Sequence, residues 1–158
     1  MTERQTRFLT GFGWGVVATV AMSLLMLIGV GTGASPMPKP IPAAIVGRLG
    51  GAALPGPAMM ALAAAAHLGY GGFWGGVLAV GIDRVTVKAG LALGVGLWLL
   101  MQVVVLPFVG WGLFGASVTP AIAGATLVLH LVYGGVLGAL VDRGAATSSA
   151  SGPAVKDA

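Results

Sequence analysis

The sequence predicts an all-α integral membrane protein, a four-helix bundle built from two tandem helical hairpins. Three observations predict it. Of 158 residues, 57% are hydrophobic and only 8% charged, whereas a soluble domain carries about 25% charged residues. Four apolar segments, about 8–30, 57–82, 87–109 and 120–141, each exceed the roughly 20 residues that a helix needs to cross a bilayer. And one phrase occurs twice. Pro57-Ala is followed after eight residues by His67-Leu-Gly-Tyr70-Gly71-Gly72 and ends on Asp83-Arg84. Pro120-Ala is followed after eight residues by His130-Leu-Val-Tyr133-Gly134-Gly135 and ends on Asp142-Arg143.

The first segment has a basic start and a long apolar run. The run exceeds the apolar core of a secretory leader, so a retained helix is expected. Next comes Ser35-Pro-Met-Pro-Lys-Pro-Ile-Pro42, whose prolines favour an extended strap. The stretch from Ala43 to Leu54 is apolar apart from Arg48 and fits a short helix at the membrane interface. The second segment carries the first repeat, and Pro57 suits a first helical turn, where a missing N–H costs nothing. The third segment follows a short connection. A second outer loop, Gly110 to Thr119, holds Trp111 and Phe114, aromatic residues expected to anchor it among headgroups. The fourth segment carries the second repeat. The tail from Gly144 to Ala158 is small and polar, and disorder is expected there.

Charge sets the orientation. Arg4, Arg7, Arg84, Lys88, Arg143 and Lys156 fall on one side of a four-span chain, and Lys39 and Arg48 on the other. The positive-inside rule then places both termini in the cytoplasm, in a multi-pass protein of the cell (inner) membrane. The net charge of +4 is scattered among membrane ends, which excludes a nucleic-acid footprint. Cysteine is absent, so there is neither a disulfide framework nor thiolate chemistry. Two hairpins that each begin and end inside are expected to be related by an axis along the membrane normal.

The candidate site is the repeat itself. His67, His130, Tyr70 and Tyr133 are all the histidines and tyrosines in the chain, and polar groups in hydrocarbon are where function is sought. Each histidine lies ten residues beyond its Pro, about 15 Å into the membrane and near its midplane. Each tyrosine follows at i+3 on the same face. Gly71 and Gly75 continue the face below His67, as Gly134 and Gly138 do below His130. Such a small face admits either a neighbouring helix or a flat ligand. Asp follows its histidine by sixteen residues in the first copy and by twelve in the second, so the second helix extends about one turn further on the inner side.

Two chemistries compete for these residues. As packing groups, the histidines would bond a tyrosine, a carbonyl, or Thr19, Ser23, Gln102 or Thr126 on a neighbouring helix. As axial ligands, His67 and His130 would hold a b-type haem in the bundle core, with glycines clearing space for the porphyrin. Only Arg48 is near enough to the outer end to meet a propionate. A zinc site is excluded by ligand number, since zinc takes four and two histidines are present. Met22, Met26 and Met101 suit soft copper, but apolar packing explains them equally well. The acidic residues Glu3, Asp83, Asp142 and Asp157 all sit at or beyond helix ends. No nucleophile with a base is apparent, and no intramembrane carboxylate for proton coupling. The expectation is therefore no enzyme.

The duplicated His-Leu-x-Tyr-Gly-Gly phrase, with the proline-rich first outer loop, resembles a group of small four-span membrane proteins of unknown function from halophilic archaea and some bacteria. The resemblance covers about residues 8–143 and implies four spans, but no activity or site residue. The leading expectation is a non-catalytic structural or accessory subunit of a larger membrane complex, of respiratory type. Its expected partners are the lipid bilayer and other membrane subunits or further copies of itself. The alternatives are a bis-histidine haem b electron carrier or quinone-site protein, and a small channel or transporter.

Overall fold

The computed structural model describes residues 1–150, without the side chains of 52 and 144–150. It is all-α, with no strand among the described residues. Five helices form it: α1 (Glu3–Gly31), α2 (Ile41–Arg48), α3 (Gly56–Gly81), α4 (Val87–Phe108) and α5 (Ala121–Ala150). Short 3₁₀ turns lie at Gly51–Ala53 and Leu113–Gly115. Three of the helices are long and apolar enough to cross a membrane: α1, α4 and residues 121–143 of α5. At 26 residues α3 has the length, but its glycines, His67, Tyr70 and Trp74 hold down its mean hydropathy, and it is not among the three.

Caps and loops follow local chemistry. Thr2 starts α1 with a capping box, its hydroxyl accepting from the Gln5 N–H while the Gln5 side chain accepts from the Thr2 N–H. Thr86 caps α4 by accepting from the Ala89 N–H. Pro42 and Pro57 fall in the first turns of α2 and α3, where no donor is lost. α5 runs on through 144–150, where disorder was expected; Ala145 and Ala146 propagate a helix already nucleated in the core. The rest of that expected tail, 151–158, lies outside the described residues.

α4 is not a uniform α-helix. Residues Met101–Val105 are wound as a π-helix, and the Leu106 N–H donates to the Met101 carbonyl, five residues back. The cause lies in Pro107. In regular α geometry its ring would press on the carbonyl of residue 103, and no N–H would meet that oxygen. One wider turn before the proline relieves both problems, as π-bulges do elsewhere.

Glycine contact builds two hairpins. α1 packs on α3 so closely that a Cβ on Gly11 would lie 2.5 Å from the Gly75 carbonyl oxygen, and one on Gly15 3.0 Å from the Gly72 Cα. α4 packs on α5 in the same manner. A Cβ on Gly90 would lie 2.9 Å from the Gly138 Cα, and one on Gly138 2.7 Å from the Thr86 carbonyl oxygen. Here backbones touch without intervening side chains, as small residues allow in membrane helices.

The hairpins join through α1 and α5, giving a packing order α3–α1–α5–α4. A two-fold axis relating the hairpins would match the α1–α5 contact with an equal one between α4 and α3, and no contact of that extent exists. In the connection Ile82 and Thr86 are extended, and Val85 between them is buried in the core beside Ala18, Tyr133 and Leu137. Asp83 and Arg84 bend, and this five-residue connection carries the chain from α3 to α4 with Val85 turned into the core.

The two longer loops form a cap at one end of the helices. Met37, Ile41 and Ala44 pack with Met101, Leu106, Trp111 and Ile122, while Ala43 and Val46 pack on Ala63 of α3. α2 is therefore seated on the bundle along two faces, with Arg48 exposed at its end. Trp111, expected as a headgroup anchor, is buried inside this cap. The bend at Gly110 and Gly112, both at positive φ, turns it inward. Phe114 stays exposed and stacks edge-on against Trp98. At the opposite ends of the helices Arg7 donates to the Ile82 carbonyl at 2.6 Å and lies 3.9 Å from Asp83, and Arg84 lies 3.9 Å from Asp142. These ion pairs are largely exposed and contribute little to stability.

Candidate functional site

One bond between the hairpins sets the level of the site. The Tyr133 hydroxyl donates to the Gly71 carbonyl at 2.6 Å. α3 and α5 run in the same direction, His67 stands one turn before Gly71, and His130 stands three residues before Tyr133. The two histidines therefore share one level. Helical side chains lean toward the helix N-terminus, so both imidazoles rise toward the end of the chain's helices that α2 covers.

The residues around them form a polar layer. The Gln102 amide donates to Thr126 Oγ1 at 2.9 Å, and that hydroxyl donates to the Ile122 carbonyl at 2.6 Å. His130 Nδ1 lies 2.8 Å from the Thr126 carbonyl. A carbonyl only accepts, so Nδ1 carries the proton and Nε2 of the neutral ring keeps its lone pair. Thr19 is buried and bonds the Gly15 carbonyl of its own helix at 2.8 Å, its side chain lying against Gly71. Among the described residues three buried side-chain atoms lack any partner, His67 Nε2, Trp74 Nε1 and Gln102 Oε1. Gln102 is 0% exposed and sits within the π turn.

Of the partners expected for the histidines, Thr126 serves His130 through its carbonyl, and its hydroxyl is taken by Gln102. Thr19 bonds its own helix. The two copies of the phrase also differ in outcome. Tyr133 is 2% exposed and bonded, whereas Tyr70 is 45% exposed and leans edge-on against Trp74. An i+3 spacing fixes a face of a helix, but not what covers that face.

The four glycines of the expected ligand or packing face are in packing contact. Gly71 meets Thr19 and Tyr133, Gly75 meets Gly11 and Gly15, Gly134 meets Gly90 and Leu91, and Gly138 meets Thr86 and Val87. The space beneath each histidine is thus taken up by a neighbouring helix. A porphyrin laid on those faces would have to separate both hairpins, so the residues present do not fit a haem there. Among the described residues, no three His, Asp or Glu side chains come together as ligands for a metal ion.

The π turn escaped sequence reading. Its one signal was Pro107 inside an apolar span five residues after Gln102, a spacing that places the disturbed hydrogen bonds on the polar residue. Comparison of the chain with family models, curated proteins and solved structures finds no match.

Proposed function

We propose that this chain is a four-span membrane protein with both termini on the cytoplasmic side, and that it serves as a non-catalytic subunit of a larger membrane assembly. One observation carries the reading. α3 is as long as a membrane span but is not among the three clear spans, and it carries His67, Tyr70 and seven glycines. It also leaves Tyr70 half uncovered, with Ala61, Ala64 and Ala65 exposed on the same helix. A helix facing lipid is normally the most apolar one, whereas a helix facing protein is rich in small residues and bears polar groups that find partners. The polar layer supports the same reading, because Gln102–Thr126 and Tyr133–Gly71 tie helix to helix and its glycines are used in packing.

Native mass spectrometry after solubilisation in a mild detergent tests this. The expected result is a complex larger than the single chain. A single sharp monomer species, with nothing retained in pull-downs, refutes it.

A further inference from the structure

We propose that the groove between the first turns of α1 and the last turns of α3 holds an anionic phospholipid, its phosphate on Arg4 and an acyl chain along Phe8, Leu9 and Val77. The proposal needs only that α1 crosses the membrane, as its length and apolarity allow. It stands whether or not the chain is a subunit of a larger assembly.

The groove follows from the packing of the hairpin. Gly72 and Gly76 of α3 lack a Cβ, and the rings of Phe12 and Phe8 take that space. A Cβ there would lie 2.8 Å from the Phe12 ring and 2.6 Å from the Phe8 ring. Phe8 also meets Phe73 edge-on, with ring centroids 6.5 Å apart. Phe8 and Leu9 of α1 and Val77 and Val80 of α3 line the apolar part of a groove of about 800 Å³. Leu9 and Val77 are exposed.

The other part of the lining is polar, with Thr2, Arg4 and Gln5. The capping box occupies the Thr2 hydroxyl and the Gln5 side-chain oxygen. The donors left over are the Gln5 side-chain N–H groups and the Arg4 guanidinium. Arg4 makes no hydrogen bond or ion pair with another described residue. Arg7 is held by Ile82 and Asp83, and Arg84 by Asp142. Among the described residues no carboxylate lines the groove; Glu3 borders a smaller, adjoining hollow with Arg4 and Arg7.

These features select the occupant. Arg4 stands one turn before Phe8, so with Phe8 at the edge of the hydrocarbon the guanidinium lies about 5 Å outside it, at headgroup depth. A guanidinium meets phosphate through two parallel N–H donors. A free phosphate would use Arg4 and leave the apolar wall uncovered, whereas a phospholipid covers both. A zwitterionic lipid would bring an ammonium group into a groove without a carboxylate to meet it. An anionic lipid brings none.

Native mass spectrometry tests this on the full chain, delipidated in a nonionic detergent and mixed with phosphatidylglycerol or phosphatidylcholine of the same acyl chains. The expected result is one phosphatidylglycerol retained per chain and no phosphatidylcholine. Arg4→Gln should weaken retention about fivefold, the attraction of one basic residue for an anionic lipid. Val77→Trp, which fills the groove and keeps every charge, should abolish it. Arg84→Gln removes a cation at the same end but outside the groove, and should leave retention unchanged. Equal retention of the two lipids overturns the proposal. Equal losses in Arg4→Gln and Arg84→Gln also overturn it, since they would mean diffuse attraction to the basic end. Retention that survives Val77→Trp, or displacement of the lipid by glycerol phosphate, would mean an anion site without an acyl chain, and overturns it too. Lipid is counted per chain on whatever oligomer the spectrum shows, so none of these results decides the subunit reading.

Discussion

Gly11→Ala should loosen the α1–α3 hairpin, and its neighbour Gly13→Ala should not. The added Cβ on Gly11 would sit 2.5 Å from the Gly75 carbonyl oxygen and 2.5 Å from the Ala79 Cβ. Neither obstacle can rotate away, since one is helix backbone and the other is fixed to it. Ordinary contact for such a pair begins near 3.5 Å, so the helices must part by about 1 Å at this level. A gap of that size forfeits a quarter to a half of the dispersion well for each contact in the seam, and overpacking of this kind costs about 1–3 kcal/mol. Alanine returns up to about 1 kcal/mol through its better helix propensity, which leaves a net loss of about 0–2 kcal/mol. At Gly13 nothing lies within 4 Å, so only the propensity gain remains and stability should hold or rise. Ala79→Gly combined with Gly11→Ala should recover part of the loss, because it removes one obstacle and leaves the Gly75 carbonyl. The assay is equilibrium unfolding by SDS titration in mixed micelles, followed by Trp14 and Trp74 fluorescence. Equal stabilities for Gly11→Ala and Gly13→Ala would refute backbone contact as the basis of this hairpin.

Other outcomes follow from the same contacts. Tyr133→Phe should cost about 0.6–1.7 kcal/mol, the range for a hydrogen bond between membrane helices, while Tyr70→Phe should leave the unfolding of the isolated chain unchanged; the same titration reads both. Gln102→Leu removes a buried acceptor without a partner, whose burial costs about 1–3 kcal/mol, and Thr126 keeps its bond to Ile122, so the variant should match or exceed the parent in stability. A clear loss would mean that Gln102 Oε1 has a partner in the membrane. A reduced-minus-oxidised absorption spectrum of protein purified from its native membrane should lack a b-type haem band, and a stoichiometric band abolished by His67→Ala would overturn the packing argument. Because the chain has no native cysteine, single cysteines at Lys39 and Lys88 should label from the outer and inner side respectively, and labelling of both from one side would sink the four-span topology.

What the sequence made legible, and what it hid, divides by range of interaction. Apolar length located the helices, because covering that many residues in hydrocarbon leaves the backbone no alternative. The glycine faces at Gly71, Gly75, Gly134 and Gly138 were likewise readable, since i, i+4 spacing depends only on the helix. That they receive a helix and not a flat ligand was not readable, for the decision rests with Gly11, Gly15, Gly90 and Thr86, far away in sequence and on helices whose register the repeat does not state. Trp111 was misplaced for a related reason. An aromatic residue near a membrane boundary fits headgroups well, but two glycines at positive φ turn this one onto Leu106 and Ile122. The repeat misled most where it was most regular. Identical phrases predict identical local geometry, and His67 and His130 do stand at one level. Identical surroundings require closed symmetry as well, and a chain packed in the order α3–α1–α5–α4 does not supply it. The difference between Tyr70 and Tyr133 is therefore the structural record of an unmatched interface: the same side chain on the same helical face is buried where a neighbouring hairpin exists and exposed where the chain has none left to offer.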